Sequence, residues 1–376
     1  MKILTEGLRG LSKVYGLMRV QGNVYYENVY LDFGARTITW QNATSVFRTR
    51  LEATGSDVDE MKPVFISGSR FFALVSSTDE LEYDGEFFVS NGNRFRLETL
   101  NDEVTFPLST YDDWKETTLN FTPELQRHLD LAVDYIEKDA NSPFSALFFT
   151  NGKMVALNRQ RFYIVDVSSS TQEDLVLPFE MLRLINTMNI TGSAVLRVRK
   201  TTSSDILELE YGQSTIRMAG SSEYSLPVDI FSDAFRSTYT FDEYVTLDSS
   251  AMLSALNFLN TYLSDRRLSY CNVTAHTLDE NGTPLAEPYM GLEFSYGTDI
   301  VRYRVPILDT YNAAEMNGKQ FCMYLSVLKQ AFSTLSANGA QKIMMRYRDR
   351  SVVVYFSNAE EDDGMFILHV TISEEG

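Results

Sequence analysis

Six segments of the chain place apolar residues at the three- and four-residue spacing of an amphipathic helix. They begin near residues 5, 67, 123, 178, 249 and 319. Runs between them, such as "NVYLDFGARTITW" and "IMMRYRDRSVVVYFSN", are rich in β-branched and aromatic residues and are bracketed by turn residues. The pattern predicts one helix followed by three or four strands, a unit used six times.

The regular spacing of the helical segments also predicts the domain organisation. Two units together make an α+β domain of about 120 residues, so three similar domains account for the chain. Polar stretches without strong periodicity, near 109–118 and 235–244, mark the expected boundaries. We therefore predict domains at residues 1–115, 116–238 and 239–376.

The helical segment "SGSRFFALVSS" at 67–77 raises the question of what its outer face contacts. Phe71, Leu74 and Val75 fall on one side of the predicted helix, and Arg70, Ala73 and Ser77 fall on the other. A surface helix would normally fill that outer stripe with Glu and Lys. The other helices are expected at 6–19, 124–139, 178–189, 248–267 and 319–334.

Charge is distributed unevenly between the helices and the rest of the chain. The 376 residues carry a net charge of −18, with a pI of about 4.7, whereas the six helical segments together carry about +1. Two explanations are open: the strands and loops simply collect the acids, or the helical faces line a surface that meets a polyanion. The acidic balance argues against a protein that coats nucleic acid with its whole surface.

The sequence contains no motif typical of an enzyme or a metalloprotein. The three histidines, His128, His276 and His369, lack metal-ligand spacing, and no CxxC, HExxH, GxxxxGK[ST], GxGxxG or GxSxG is present. We predict no metal, no cofactor and no catalytic residue. No apolar run spans a bilayer, and Cys271 and Cys322 are expected to stay reduced in a cytoplasmic protein.

These features together resemble the bacterial-type DNA polymerase sliding clamp, the β subunit of the replicative polymerase. "GSRFFALVSS" is similar to the second helix of that family, and "FPLSTYDDW" at 106–114 is similar to its domain 1 to 2 crossover. "LVLPFEMLRLI" at 175–185 and "YLSDRR" at 262–267 resemble further family segments. The family's "TDGHRLA"-type segment reads "LNRQRFYIVD" here, a divergence that suggests a phage-encoded or remote clamp.

The resemblance implies a ring that encircles duplex DNA, with helices lining the hole and sheets outside, closed by a head-to-tail homodimer. It implies a non-catalytic protein that tethers the DNA polymerase and is served by a clamp loader. DNA contacts would be few, directed to phosphates and independent of sequence. The candidate DNA-binding residues are Arg9, Lys13, Arg19, Arg70, Arg127, Lys138, Arg183 and Lys329.

The resemblance also implies two sets of protein contacts. Phe106 and Leu108 would lie on the domain 1 side of the dimer interface, with Tyr262 and Leu263 on the domain 3 side. A groove for partner peptides would lie between domains 2 and 3, formed by Leu157, Arg161, Phe162, Pro227, Ile367 and His369.

Two other classes of protein remain open at this stage. An acidic, sheet-rich viral structural protein would also have internal repeats and no catalytic motif. A hydrolase with a dispersed pair of carboxylates would have a deep polar pocket with perturbed acids.

Overall fold

The structure is a computed structural model of the chain. It describes residues 1–370 except 56–57, 101–104, 109–110, 172–173, 202–203, 221–222, 227–231, 233–236, 238–239, 241, 264–269, 297–298, 351–352 and 362–364. Pro227, one of the predicted groove residues, lies outside the described residues.

Strands make up most of the regular structure. They are β1 (Lys2–Leu4), β2 (Asn28–Asp32), β3 (Thr37–Gln41), β4 (Ser45–Arg50), β5 (Ala53–Thr54), β6 (Val64–Ser67), β7 (Glu80–Tyr83), β8 (Phe88–Ser90), β9 (Asn93–Phe95), β10 (Thr99–Leu100), β11 (Lys115–Phe121), β12 (Ala146–Thr150), β13 (Lys153–Leu157), β14 (Arg161–Asp166), β15 (Leu175–Pro178), β16 (Gly192–Lys200), β17 (Asp205–Tyr211), β18 (Ser214–Gly220), β19 (Tyr244–Asp248), β20 (Tyr270–Leu278), β21 (Pro284–Tyr296), β22 (Asp299–Thr310), β23 (Gln320–Tyr324), β24 (Lys342–Arg346), β25 (Val353–Asn358) and β26 (Met365–Val370).

The helices lie between these strands. They are α1 (Glu6–Arg9), α2 (Leu11–Met18), α3 (Val24–Glu27), α4 (Gly68–Ser77), α5 (Pro123–Ala132), α6 (Phe179–Met188), α7 (Ser249–Tyr262), α8 (Ala313–Met316) and α9 (Leu325–Ala337).

The chain divides into two compact units. Unit 1 comprises Met1–Val133 and Ser169–Tyr224, and unit 2 comprises Asp134–Ser168 and Ser225–Gly376. Unit 1 holds one sheet in the order β5-β1-β7-β8-β9 and another in the order β10-β6-β2-β3-β4-β18-β17-β16-β11. Unit 2 holds strands in the order β12-β13-β14-β26-β25-β24-β19-β22-β21-β20-β23. The predicted boundaries at 115/116 and 238/239 stay predictions.

The α+β repeat predicted from the hydrophobic pattern is confirmed, with one refinement. Each repeat consists of a strand, a helix or broken helix, and three further strands, and the first two repeats each add one two-residue strand, β5 and β10. The strand before the helix ends at the residue before the helix begins, as β6 does before α4 and β23 does before α9. Aliphatic and aromatic side chains fill the core of each unit, and their burial is the main stabilising term.

Strand pairing joins repeats that are distant in sequence, the first to the fourth and the third to the sixth, in the same way. In unit 1, β4 pairs antiparallel with β18, with Phe47 opposite Ile216. In unit 2, β14 pairs antiparallel with β26, with Tyr163 opposite Ile367. In both cases the third strand after one helix pairs with the last strand of another repeat.

Two predicted helix ranges are wrong. The helix expected at 124–139 ends at Ala132, because Tyr135 and Ile136 leave the helical path to become core residues with 1% and 2% exposure. The helix expected from 319 begins only at Leu325. Residues 320–324 alternate between half-buried and buried positions and pair with β20 as a strand.

The first predicted helix, at 6–19, is broken into α1 and α2. Gly10 serves as the C-cap of α1 and the N-cap of α2, still in right-handed helical geometry. The short helix α3 was not predicted, and its first turn is capped by the Asn23 side chain, which accepts a hydrogen bond from the Tyr25 amide.

A network of charged and aromatic side chains joins the segment after residue 105 to the nine-stranded sheet of unit 1. The Arg217 guanidinium donates to Glu208 at 2.8 and 2.5 Å and to the Pro107 carbonyl at 2.9 Å. It also lies 5.4 Å from the centroid of the Trp114 ring. Arg197 donates to the other Glu208 oxygen at 3.0 Å. Because Arg217 and Glu208 are both 7% exposed, the pair is a buried ion pair whose hydrogen bonds offset its desolvation.

Candidate nucleic-acid interface

The helices of unit 1 form one continuous layer. Helix α1 packs on α2 and α4, α2 packs on α6, and α6 packs on α5. Six of the eight predicted DNA-binding residues lie on or next to these helices, so the fold of unit 1 brings them onto one helical layer.

Helix α4 has the two faces that its sequence predicts. Phe71, Leu74 and Val75 are buried, whereas Arg70 and Ala73 are exposed. The start of the helix fits closely under the first helical pair, because a Cβ added at Gly68 would lie 2.4 Å from the Tyr15 ring. The outer face of α4, with its small residues and its one arginine, is therefore exposed.

The cations of the broken first helix differ in their surroundings. Arg9 forms an ion pair with Asp79, which places it beside the end of α4. Lys13 is exposed on α2, and Arg19 is exposed at its C-cap. Gly16 is also exposed on α2, and a Cβ there would contact nothing within 4 Å.

Helices α5 and α6 contribute the last two candidates of unit 1. Arg127 is exposed on α5. Arg183 is half-buried on α6 and forms an ion pair with Glu180 at 3.0 Å. An arginine already paired on its own helix offers less free charge to a ligand.

The two remaining candidates belong to unit 2 and are less well placed. Lys138 was expected on a helix but lies beyond the end of α5, in an exposed non-helical segment. Lys329 is half-buried on α9. Helix α7 has no charged residue in its sequence, "SSAMLSALNFLNTY".

Three cations on the helices of unit 1 have no acidic partner among the described residues. In the described part of the chain, no acidic group lies within 4.0 Å of the charged ends of Lys13, Arg70 or Arg127. Arg197 on strand β16, by contrast, is surrounded by the carboxylates of Glu116, Glu208 and Glu210.

The predicted peptide-groove residues split into an accessible and a buried set. Leu157 and Ile367 are 1% exposed and His369 is 3% exposed, so these three are core residues in the described chain. Arg161 and Phe162 are half-buried. The Arg161 guanidinium donates to the Gln330 side chain on α9.

The predicted interface residues also differ in accessibility. Phe106 and Leu108 are half-buried, and the Phe106 ring lies 5.6 Å from that of Tyr30. Tyr262 is 64% exposed, but Leu263 is 8% exposed. Leu263 therefore belongs to the core of unit 2, which covers it without a partner.

Burial shifts the pKa of two histidine side chains and one cysteine side chain. Burial lowers the pKa of His128 on α5 and of His276 on β20. Burial raises the pKa of the Cys271 thiol well above its usual range. The described residues contain no group of three or more His, Cys, Asp or Glu side chains able to hold a metal ion. None of the described helices is long and apolar enough to cross a membrane.

The fold is that of solved β subunits of DNA polymerase III, which include β clamps. The β subunit of DNA polymerase III from Thermotoga maritima matches with a TM-score of 0.74 and 12% identity, over 99% of this chain and 98% of that one. The putative β subunit from Eubacterium rectale matches with the same score and identity, over 99% and 100% of the two chains. The Helicobacter pylori β clamp in complex with diflunisal matches at 0.75 and 14% identity, over 99% of each chain.

The likeness lies in the fold rather than in the sequence. No protein-family model matches the chain, and no curated protein matches it. The predicted fold class, an α+β clamp fold, is confirmed by these structures.

Proposed function

We propose that this chain is a DNA sliding clamp, a non-catalytic protein that encircles duplex DNA and tethers a DNA polymerase. The observation that carries the proposal is the match of nearly the whole chain to DNA polymerase III β subunits. The helical layer of unit 1 supports it, since an exposed layer with unpaired cations lies on an otherwise acidic protein.

The chemistry of the helical layer suits a clamp that moves along DNA. Lys13 and Arg70 stand near small side chains such as Gly16 and Ala73, so they offer phosphate contacts without apolar or base-reading groups, whereas Arg127 shares α5 with Glu124 and Asp130. A few such contacts hold the duplex weakly and independently of sequence, and topology then keeps the ring on the DNA. Acidic strands elsewhere would repel the phosphates and favour this layer.

The proposal includes a head-to-tail homodimer and two kinds of protein partner. Phe106, Leu108 and Tyr262 are the proposed interface residues that are accessible in one chain. The DNA polymerase and a clamp loader would dock through short peptides, for which Arg161 and Phe162 are the accessible candidates. A cytoplasmic location follows from this role, and a phage origin stays a suggestion from the sequence alone.

The size of the particle gives the first test. A closed dimer has a mass of about 86 kDa, twice the 42.8 kDa of one chain, and light scattering coupled to gel filtration measures it. A monomer at all concentrations would contradict the ring. Large open assemblies would support the alternative of a viral structural protein.

The second test addresses DNA. The wild-type protein, loaded onto nicked circular DNA, should stay bound through gel filtration and should be released when the circle is linearised. Arg70→Glu should reduce retention and make the slope of log K against log salt shallower by about 0.9. Lys342→Glu, on β24, is the matched control with the same change in net charge and should retain DNA like the wild type. Equal retention by all three proteins would remove Arg70 from the site.

A further inference from the structure

One face of three neighbouring strands in unit 2 brings together an arginine, a histidine, a tyrosine and a glycine. On β20 buried and half-buried residues alternate, and His276 is half-buried on the face turned away from the core. Tyr289 on β21 lies opposite His276. Two residues further along β21, Gly291 lies opposite Arg304 of β22. These four residues, the sheet-face cluster, therefore share one side of the sheet.

The Tyr289 ring contacts both nitrogen-bearing side chains of the cluster. The His276 and Tyr289 rings stack with their centroids 4.7 Å apart, and the Cζ atom of Arg304 is 4.5 Å from the Tyr289 centroid. A guanidinium on an aromatic ring is stabilised by a cation–π interaction and keeps its N–H donors for other partners. The tyrosine therefore positions two hydrogen-bond donors near each other before a ligand binds.

Gly291 makes the position of the imidazole possible. A Cβ atom added at Gly291 would lie 3.0 Å from Nε2 and 3.1 Å from Cδ2 of His276. The imidazole thus occupies space over β21 that any other residue would fill. Because directly opposed residues have Cβ positions about 5 Å apart, the base of the Arg304 side chain lies next to the same glycine. The Gly291 position is therefore bordered by His276 on one side and by Arg304 on the other.

The charge of Arg304 is not neutralised by a carboxylate in the part of the chain that the structure describes. There, no acidic group lies within 4.0 Å of its guanidinium, whereas Arg302, on the same face of β22, pairs with Glu293 at 2.6 Å. Arg304 is exposed, and its stacking on Tyr289 directs the side chain over β21. On a protein with a net charge of −18, an accessible arginine that is not paired in this way attracts negative charge locally.

The charged groups around His276 come from three neighbouring elements. Burial and the charge of Arg304 on β22 lower the pKa of His276, and the charge of Glu293 on β21 raises it. Helix α8 packs on β20 and carries one acid, Glu315, which is exposed. The adjoining strand β23 contains no charged residue. The electrostatics at the imidazole therefore depend mainly on Arg304 and on Glu293, whose charge Arg302 offsets.

We propose that the sheet-face cluster is a binding site for a phosphate group, held by the Arg304 guanidinium and the protonated His276 imidazole. The planar fork of an arginine fits two oxygens of a tetrahedral anion, and an imidazolium adds a second charged donor. A phosphate dianion offsets both positive charges, which repel each other without it. A free phosphate and a phosphate ester on a partner share this chemistry. The site lies on the sheet of unit 2, so its failure would leave the proposed DNA contacts of the helical layer in unit 1 untouched.

Phosphate binding is measured by NMR on the full chain with histidine labelled at the Cε1 position. The chain has three histidines, of which His128 and His369 are buried, and His276→Asn identifies the third signal. Titration with inorganic phosphate at constant ionic strength should shift the His276 signal saturably. Arg304→Met should raise the dissociation constant at least about tenfold, the effect of losing charge-assisted hydrogen bonds. Lys342→Met, exposed on β24, removes the same charge elsewhere on unit 2 and should bind like the wild type.

Two results of this titration would overturn the proposal. One is a His276 signal that moves no further in phosphate than in sodium chloride of the same ionic strength. The other is an equal dissociation constant in Arg304→Met and the wild type. O-phosphoserine, titrated in the same way, identifies the source of the group. It binds more tightly than inorganic phosphate if the site takes a phosphorylated partner, and more weakly if the site takes a free phosphate.

A second experiment tests the imidazole as a donor. Sulfate is a tetrahedral dianion that gains no proton in the range where histidine titrates. Saturating sulfate should raise the pKa of His276 in the wild type, because anion binding favours the protonated imidazole. In Arg304→Met the pKa of His276 should already be higher without sulfate, since one positive neighbour is gone, and sulfate should change it little. Gly291→Ala, which pushes the imidazole aside, should also weaken the effect of sulfate. A wild-type pKa that sulfate leaves unchanged would overturn the two-donor site.

Discussion

The buried ion pair of unit 1 leads to a measurable prediction about stability. Replacing Arg217 by Met removes both hydrogen bonds to Glu208 and the bond to the Pro107 carbonyl. Removing one partner of a buried pair typically costs about 3–5 kcal/mol, because the other charge is left without compensation. Arg197 still donates to Glu208 at 3.0 Å. We therefore expect the free energy of unfolding of unit 1 to fall by about 2–3 kcal/mol.

Urea unfolding followed by tryptophan fluorescence measures this change. Both tryptophans, Trp40 and Trp114, lie in unit 1, so the signal reports that unit. A loss below about 1 kcal/mol would refute the reasoning, since that is the scale of an exposed pair. The double variant Arg217→Met/Glu208→Gln should recover part of the loss, because no buried carboxylate is then left unbalanced. Limited proteolysis should cut the 105–114 crossover faster in Arg217→Met.

Three further predictions concern packing, protonation and a buried hydroxyl. Gly68→Ala should lower the thermal midpoint and cost about 1–3 kcal/mol, because the new Cβ meets the Tyr15 ring at 2.4 Å; an unchanged melting curve would contradict the packing. The pKa of buried His128 is lowered, so the folded state binds its proton less readily than the unfolded state. The free energy of unfolding should therefore be highest above the unfolded pKa of about 6.5 and should fall as the pH drops below it. His128→Asn should flatten this pH dependence in urea titrations at pH 5–8. An equal pH dependence in the wild type and the variant would show that His128 does not cause it. Tyr135→Phe removes the bond to Thr334 and should cost about 1 kcal/mol, measured by urea unfolding against Tyr311→Phe, an exposed tyrosine whose loss should change little.

The repeat architecture could be read from the sequence because local patterns determine it. Apolar spacing placed α4 and α6 within a residue or two of their observed bounds and the start of α7 within one residue, but it extended α7 five residues past its end at Tyr262. The helix that ends at Ala132 departs from its pattern, because burial of Tyr135 against α9 outweighs local periodicity. The strand at 320–324 was missed because its five residues are too few to separate a period of two from a helical one.

The candidate site could be predicted only in part. Surface positions on a helix follow from its period, so Lys13, Arg70 and Arg127 are exposed as expected. Leu263 and Ile367 are buried, and burial depends on neighbours that are distant in sequence. The sheet-face cluster joins residues from three strands, and no local pattern indicated it.

The pairing of β4 with β18 affects how the chain can be dissected. A fragment stopping at residue 115 would keep β4 but discard the strand that lies along it. The backbone edge of β4 would then be unpaired beside Val46 and Phe47, which are 3% and 0% exposed in the whole chain. An unpaired strand edge next to apolar side chains promotes aggregation with other molecules. The predicted domain boundary at 115/116 is therefore a poor site for truncation, and the chain is better studied whole.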